Sequence, residues 1–233
     1  MNQIRHLGII MDGNRRWAKS QNMVSYQGHN RGAEVFGDTC DWCIESGIEF
    51  LTVYAFSTEN WQRSKDEVTH IFRLLAKYFT QEKSTCLKKD IRIIVIGERE
   101  RFNKSTLAII NDIEAATRAC KTLIVQIALS YGGRDEIVRA AKKALVDIES
   151  GKLTADELTE DIFASYLDTA DIPDVDLVVR TGGSENRRLS NFLPWQTVYS
   201  ELYFSDLLWP EFTRAEFNNA INYYETTKRK QGK

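Results

Sequence analysis

Phosphate-binding side chains recur at four places, each just after an apolar run. Asp12-Gly13-Asn14-Arg15-Arg16-Trp17 follows the first, and Ser57-Thr58-Glu59-Asn60-Trp61 with Arg63 follows the second. Ser130-Tyr131-Gly132-Gly133-Arg134 follows the third; Arg180-Thr181-Gly182-Gly183 follows the fourth, with Arg187, Arg188 and Ser190 close behind. Arginine forks suit phosphate oxygens. Glycines permit close backbone approach, and peptide N–H groups at turns and helix starts add anion affinity. Asp12 and Glu201 are carboxylates that could hold a hard cation bridging those phosphates. Any one cluster could be a solvated loop.

The elements decide whether the clusters meet. Leu7–Met11 reads as a buried strand followed by a turn at Asp12-Gly13-Asn14. Strands are also predicted over Phe50–Phe56, Ile91–Ile96, Leu123–Leu129 and Val175–Val179, with a short one over Leu202–Phe204. Apolar spacing predicts helices over Asn30–Ser46, Asp66–Glu82, Lys104–Ala119, Asp135–Glu149 and Arg214–Lys228, and a short one around Asp161–Leu167. Such alternation predicts a single α/β domain over 1–233, with a mainly parallel central sheet flanked by helices. In open α/β sheets, ligands bind beyond the carboxyl ends of the strands. All four clusters fall there, and together they would make a small cationic bowl.

Composition narrows the chemistry. The net charge is −2, with no clustered basic face, so nucleic acid is not an expected partner. No apolar run approaches the roughly 20 residues of a bilayer span, and no signal peptide is evident, so a cytoplasmic protein is expected. Cys40-Asp41-Trp42-Cys43 lacks a second metal-ligand pair and falls in register with Ala33 and Phe36, which favours a helix core face. P-loop, dinucleotide-fold and nucleophile-elbow motifs are absent, as is the Asp-Asp-x-x-Asp of all-helical trans-prenyltransferases.

Longer motifs carry a family resemblance. Ile9-Ile10-Met11-Asp12-Gly13-Asn14-Arg15-Arg16-Trp17-Ala18 resembles the first signature of the cis-prenyltransferases. Gly28-His29-x-x-Gly32-Ala33, Tyr54–Trp61 with Arg63, Tyr131–Ile137, Arg180–Gly183, Arg188-Leu189-Ser190-Asn191-Phe192 and Tyr199–Phe204 resemble the later ones, in order and over nearly the whole chain. The resemblance implies a homodimer that uses Mg2+ to condense isopentenyl diphosphate onto an allylic diphosphate. It makes Asp12 the central carboxylate, with Gly13, Asn14, Arg15, Arg16 and Trp17 around the allylic diphosphate and His29 nearby. Ser57, Thr58, Glu59, Asn60 and Trp61 would flank the reacting carbons, with Asn60 aiding proton removal and Arg63 in the same shell. Arg180, Arg188, Leu189 and Ser190 would hold isopentenyl diphosphate. Glu201 would be a second metal-associated carboxylate, which a partner subunit could supply.

The same resemblance predicts a hydrophobic product tunnel walled by Phe36, Phe72, Leu75, Tyr78 and Phe79, residues that equally suit an ordinary core. The small Ala55 goes with medium or long products, a polyprenyl diphosphate of the lipid-carrier kind, and with no more than peripheral membrane contact through the product. A short-chain or branched-product synthase and a non-catalytic subunit are the competing readings; intact Asp12, Asn14, Arg16, Arg180 and Glu201 oppose the latter. Two features depart from the family pattern. Ser25 stands where many relatives have an arginine four residues before the histidine. Ser184-Glu185-Asn186-Arg187 makes the loop before Arg188 two residues longer, so either Arg187 or Arg188 could fill the family position, with the spacing to Ser190 and Glu201 favouring Arg188.

Overall fold

His6–Ile10 (β1) is buried along its whole length because apolar layers cover both sides of it. The computed structural model describes residues 3–183 and 186–227. Ser184, Glu185 and the basic stretch 228–233, which includes the predicted end of the last helix, lie outside the described residues. The other strands are β2 (Phe50–Ser57), β3 (Ile91–Ile96), β4 (Leu123–Tyr131), β5 (Leu177–Arg180) and β6 (Glu201–Phe204). All pairings are parallel, in the order β3-β4-β2-β1-β5-β6. The helices are α1 (Asn14–Ser20), α2 (Ser25–Glu45), α3 (Lys65–Lys88), α4 (Lys104–Thr117), α5 (Gly133–Glu149), α6 (Glu160–Ala164) and α7 (Arg214–Thr226).

Alternation along β1 divides the core. Leu7 and Ile9 join Val35, Phe36, Cys40 and Cys43 of α2 in one cluster, which also takes in residues of α3, α4 and α7. Ile10 joins Val178, Phe192 and Leu193 in the other. Buried on both faces, the inner strands are the near-continuous apolar runs expected of a parallel sheet. Cys40 and Cys43 are free, buried thiols on α2, as the helical register predicted.

Most boundaries shift by one or two residues, and three differ more. The predicted turn after β1 leads straight into an unpredicted helix, α1, whose seven residues bury only Ala18 and so carry no readable period. α2 begins five residues before Asn30; Ser25, Tyr26 and Gln27 are exposed, so that first turn has no apolar stripe. α3 runs on to Lys88, adding buried Cys86 to its apolar stripe; Ser64 caps it by accepting from the Glu67 N–H at 3.3 Å. Glycines let α2 press against α1: a Cβ on Gly28 would stand 2.0 Å from the Asn14 carbonyl oxygen.

Candidate active site

The strand register gathers the polar clusters at one edge. Ile10, Tyr54 and Arg180 stand side by side on β1, β2 and β5, and Ser57 stands beside Tyr131. β1 is also where the chain order reverses, since β2 and β5 flank it on opposite sides. A crevice at the carboxyl end of such a strand is the expected ligand site.

Asp12 lies in that crevice. Its backbone carbonyl accepts from Thr181 Oγ1 at 2.8 Å and from the Trp209 N–H at 3.0 Å, which fixes the residue in place. Its carboxylate takes Arg16 Nη2 on Oδ1 at 3.2 Å and Arg180 Nη2 on Oδ2 at 3.0 Å. Arg180 is only 6% exposed; its Nη1 donates to Ser190 Oγ at 2.6 Å and to the Arg188 carbonyl. Its Nε is buried without a partner. Gly182, at φ +116, must be glycine, because a Cβ there would meet Asp12 and Arg16 below 3 Å.

A second group surrounds Glu67, which motif matching did not single out. Arg63 Nη1 donates to its carboxylate at 3.0 Å, while Arg15 Nε and His29 Nε2 lie 3.7 and 3.9 Å away. Its only sequence signal is the i,i+4 spacing from Arg63 on the entry to α3. His29 is held neutral: burial above all, then the charge of Arg63, pulls its pKa down to about 4, despite the opposing charge of Glu67. Its Nε2 is buried without a hydrogen bond, so the ring offers a neutral polar edge.

The segment after β2 is a tight 3-10 turn, Thr58–Gln62, pinned by the Ser57 N–H donating to Asn60 Oδ1 at 3.1 Å. Asn191, part of a motif but given no role there, ties this turn to the opposite loop: its Nδ2 reaches Glu59 Oε1 at 3.3 Å and its Oδ1 accepts from the Arg134 N–H at 2.9 Å.

Two hollows meet at Asp12, Asn14, His29 and Arg63. One, of about 900 Å3, is polar and bordered by Gly13, Arg15, Arg16, Lys19 and Ser25. The other, of about 630 Å3, has Arg180, Ser190, Ser57, Glu59 and Asn60 at its mouth and Val53, Ala55, Ile71, Leu75, Phe79 and Ile127 within.

Several expected site residues stand elsewhere. Trp61 is turned into the core, against Phe56 and Phe72, with its N–H on Ser130 Oγ at 2.9 Å. Thr58 packs toward Gly132, and Leu189 against the Ile10 cluster. Trp17 and the Arg188 side chain border neither hollow; Arg188 is exposed and donates to Asn186 Oδ1 at 3.2 Å. Glu201 is beside Leu177, at the start of β6, three positions before the Arg180 level. That is roughly 10 Å down the sheet from the Asp12 edge, so one chain alone does not bring Glu201 to Asp12.

Among the described residues, no three His, Cys, Asp or Glu side chains converge as a metal cage. The Asp12 carboxylate at the cationic crevice, with Glu59 at the mouth of the same hollow, nevertheless suits Mg2+, which commonly takes one or two carboxylates and completes its shell with water and phosphate oxygens. Asp12 would be the residue to hold it.

Comparison with known proteins gives consistent matches. Residues 10–232 match the prenyltransferase family model described as "Putative undecaprenyl diphosphate synthase". An isoprenyl transferase of Aquifex pyrophilus is 46% identical over 228 residues, covering 98% of this chain and 95% of that protein. The crystal structure of a lavandulyl diphosphate synthase from Lavandula x intermedia, in complex with dimethylallyl diphosphate, is 32% identical with a TM-score of 0.95, covering 99% of both chains. That of a probable undecaprenyl diphosphate synthase from Campylobacter jejuni is 37% identical with a TM-score of 0.83, covering 100% of both.

Proposed function

The chain belongs to the undecaprenyl diphosphate synthase family of prenyltransferases, and from that premise we propose that it condenses isopentenyl diphosphate onto an allylic diphosphate in cis geometry, with Mg2+, to make a medium- or long-chain polyprenyl diphosphate. One observation carries the reading: the 630 Å3 hollow has a cationic, hydrogen-bonding mouth and an apolar interior. That is the shape of a ligand with a diphosphate head and a hydrocarbon tail.

The roles follow from position. Arg15, Arg16 and the N–H groups at the start of α1 face the polar hollow and would take the allylic diphosphate. Arg180 and Ser190, on the other side of Asp12, would take isopentenyl diphosphate. When bound at Asp12, Mg2+ supplies charge neutralisation to a departing diphosphate. The allylic C–O bond breaks with its electron pair going to the diphosphate oxygen, where the arginines stabilise the charge. The isopentenyl double bond forms the new C–C bond, and a proton leaves the adjacent carbon for a diphosphate oxygen. Asn60 Oδ1, held by the Ser57 N–H, lines the cavity where it can orient that transfer. The apolar interior excludes water from the allylic cation.

Ala55 on the cavity wall leaves the interior open, which favours elongation past short products. A homodimer is part of this reading. Val198 and Tyr199 are 68% and 93% exposed just before the edge strand β6, a surface that a second copy would cover. No helix among the described residues is long and apolar enough to cross a membrane.

The test is incubation with labelled isopentenyl diphosphate, farnesyl diphosphate and Mg2+, with product sizing. A ladder that EDTA and Asp12→Ala both abolish is expected. Absence of elongation with farnesyl, geranyl and dimethylallyl primers would overturn the reading, and branched or cyclic products would move it to the lavandulyl type of synthase.

A further inference from the structure

The loop between β5 and β6 holds its working residues in a backbone that their types disfavour. Ser190, Asn191 and Leu193 have φ of +49, +66 and +49, so three of four neighbouring positions are left-handed without a glycine. Such residues persist only where their surroundings over-determine them. Ser190 accepts from Arg180, and Asn191 reaches Glu59; both line the active-site hollow. The surroundings converge on Glu136, a residue of α5 that is 1% exposed and borders neither of the hollows that meet at Asp12. Resting on the prenyl-elongation reading above, we propose that Glu136 is a positioning residue for the isopentenyl diphosphate subsite: it ties Gln196, at the outgoing end of the loop, to the end of β4, and so fixes where Ser190 and Asn191 present their polar groups.

Hydrogen bonds trace the tie. Glu136 Oε2 accepts from the Tyr131 hydroxyl at 2.6 Å and from Gln196 Nε2 at 3.1 Å, and Oε1 accepts from the Asp168 N–H at 3.0 Å. Gln196 Nε2 also donates to Thr169 Oγ1 at 2.7 Å. The first turn of α5 holds the middle of the loop: the Gly133 N–H donates to the Asn191 carbonyl at 2.8 Å, and the Arg134 N–H donates to its side chain. Between these anchors Phe192 and Leu193 are buried, with Phe192 stacked on Tyr54 at 4.9 Å. Tyr54 lines the hollow and donates to the Tyr131 carbonyl at 3.0 Å, so the residue that Glu136 grips also sets the wall against which the loop packs. Burying a carboxylate is unfavourable unless donors surround it. Here each donor belongs to the loop or to a segment packed against it.

The test is steady-state kinetics, each substrate varied in turn, on wild type, Glu136→Ala, Glu136→Gln, Gln196→Met and His6→Gln. Glu136→Ala and Gln196→Met are expected to raise the KM for isopentenyl diphosphate about tenfold, the usual cost of leaving a buried polar group without its partner, with the allylic KM unchanged. Glu136→Gln should recover most of that loss. Its amide can donate to the Tyr131 hydroxyl and to Gln196, whose Oε1 is buried without a partner and can turn toward it. Circular dichroism and melting temperature check each fold. His6→Gln, buried at the opposite end of β1, is the control for lost stability alone and should leave both KM values at wild type. Gln196→Met removes a single partner, so it decides the matter even where Glu136→Ala does not fold. An unchanged isopentenyl KM in the folded variants, or a parallel change in both KM values, would overturn the positioning role and leave the prenyltransferase reading standing. No elongation by wild type would overturn both.

Discussion

Arg180 and Asp12 are 3.0 Å apart at the end of two neighbouring strands, and the arginine is the more deeply buried partner. A guanidinium taken out of water needs a counter-charge. Here the counter-charge is shared, because Arg16 holds the other carboxylate oxygen at 3.2 Å. Two cations on one anion leave the crevice positive, and Arg180 Nε lacks a partner. A diphosphate bound there, as proposed, would meet charge that is already oriented, with Arg16 on the side of the leaving allylic diphosphate and Arg180 on the side of isopentenyl diphosphate.

Asp12→Ala is therefore expected to act twice. Product formation should fall by at least about 10²–10³-fold, the usual loss for one preorganised electrostatic group. Arg180 should also be left buried with one partner fewer, at about 1–3 kcal/mol. Millimolar inorganic diphosphate should restore part of the melting temperature, because it replaces the missing anion. Activity within tenfold of wild type would remove Asp12 from the centre of the site.

Arg188 reaches the site through its carbonyl, and a role for its side chain in holding isopentenyl diphosphate is a proposal to test. The carbonyl accepts from buried Arg180, whereas the side chain is exposed beside Asn186. Arg188→Ala should keep the carbonyl contact and lose the fork. The KM for isopentenyl diphosphate should then rise about tenfold or more, the worth of a charge-assisted hydrogen bond. Arg187→Ala should change it less. Equal KM values for the two variants would refute the assignment of Arg188 over Arg187.

Ser25 borders the polar hollow among Arg15, Arg16 and Lys19. A Ser25→Arg side chain on the exposed first turn of α2 could reach the same space without disturbing the core. The KM for the allylic primer should fall, by up to about tenfold for one added charged hydrogen bond, with the isopentenyl KM unchanged. An unaltered allylic KM would show that Ser25 does not limit primer affinity.

How legible the site was depended on whether a residue's work is local. Asp12, Asn60 and Arg180 follow apolar strands directly, so the order of elements and the motifs were enough to bring them to one edge. Glu67 and Asn191 act through partners that only the fold supplies: Glu67 faces His29 and Arg15 from another helix, and Asn191 reaches Glu59 across 132 positions. Trp61 lies within a motif, yet its indole packs on Phe72 of α3, and no motif specifies which way a side chain turns. α1 was missed because its helicity rests on contact with α2 through Gly28, with little apolar period of its own.

A pH effect on stability arises far from the crevice. His6 is 1% exposed; Nδ1 meets the Pro173 carbonyl at 2.7 Å, and Nε2 meets the Thr52 hydroxyl at 2.8 Å. A carbonyl only accepts, so Nδ1 carries the proton of the neutral ring. Burial is the main cause that pulls the pKa from 6.5 to about 4, against the Pro173 bond and the charge of Asp176. The unfolded chain thus takes up a proton near pH 6.5, which the folded chain resists until about pH 4. The stabilisation is whole above pH 6.5, declines as pH falls from there toward 4, and levels off below; its full size is about 3 kcal/mol. His29 adds a decline of the same sign over the same window, so the informative comparison is between wild type and His6→Gln. The variant should be less stable at pH 7.5, yet lose less of its urea midpoint between pH 6.5 and 4.5. Parallel midpoint curves for the two proteins would show that His6 is not the group being titrated.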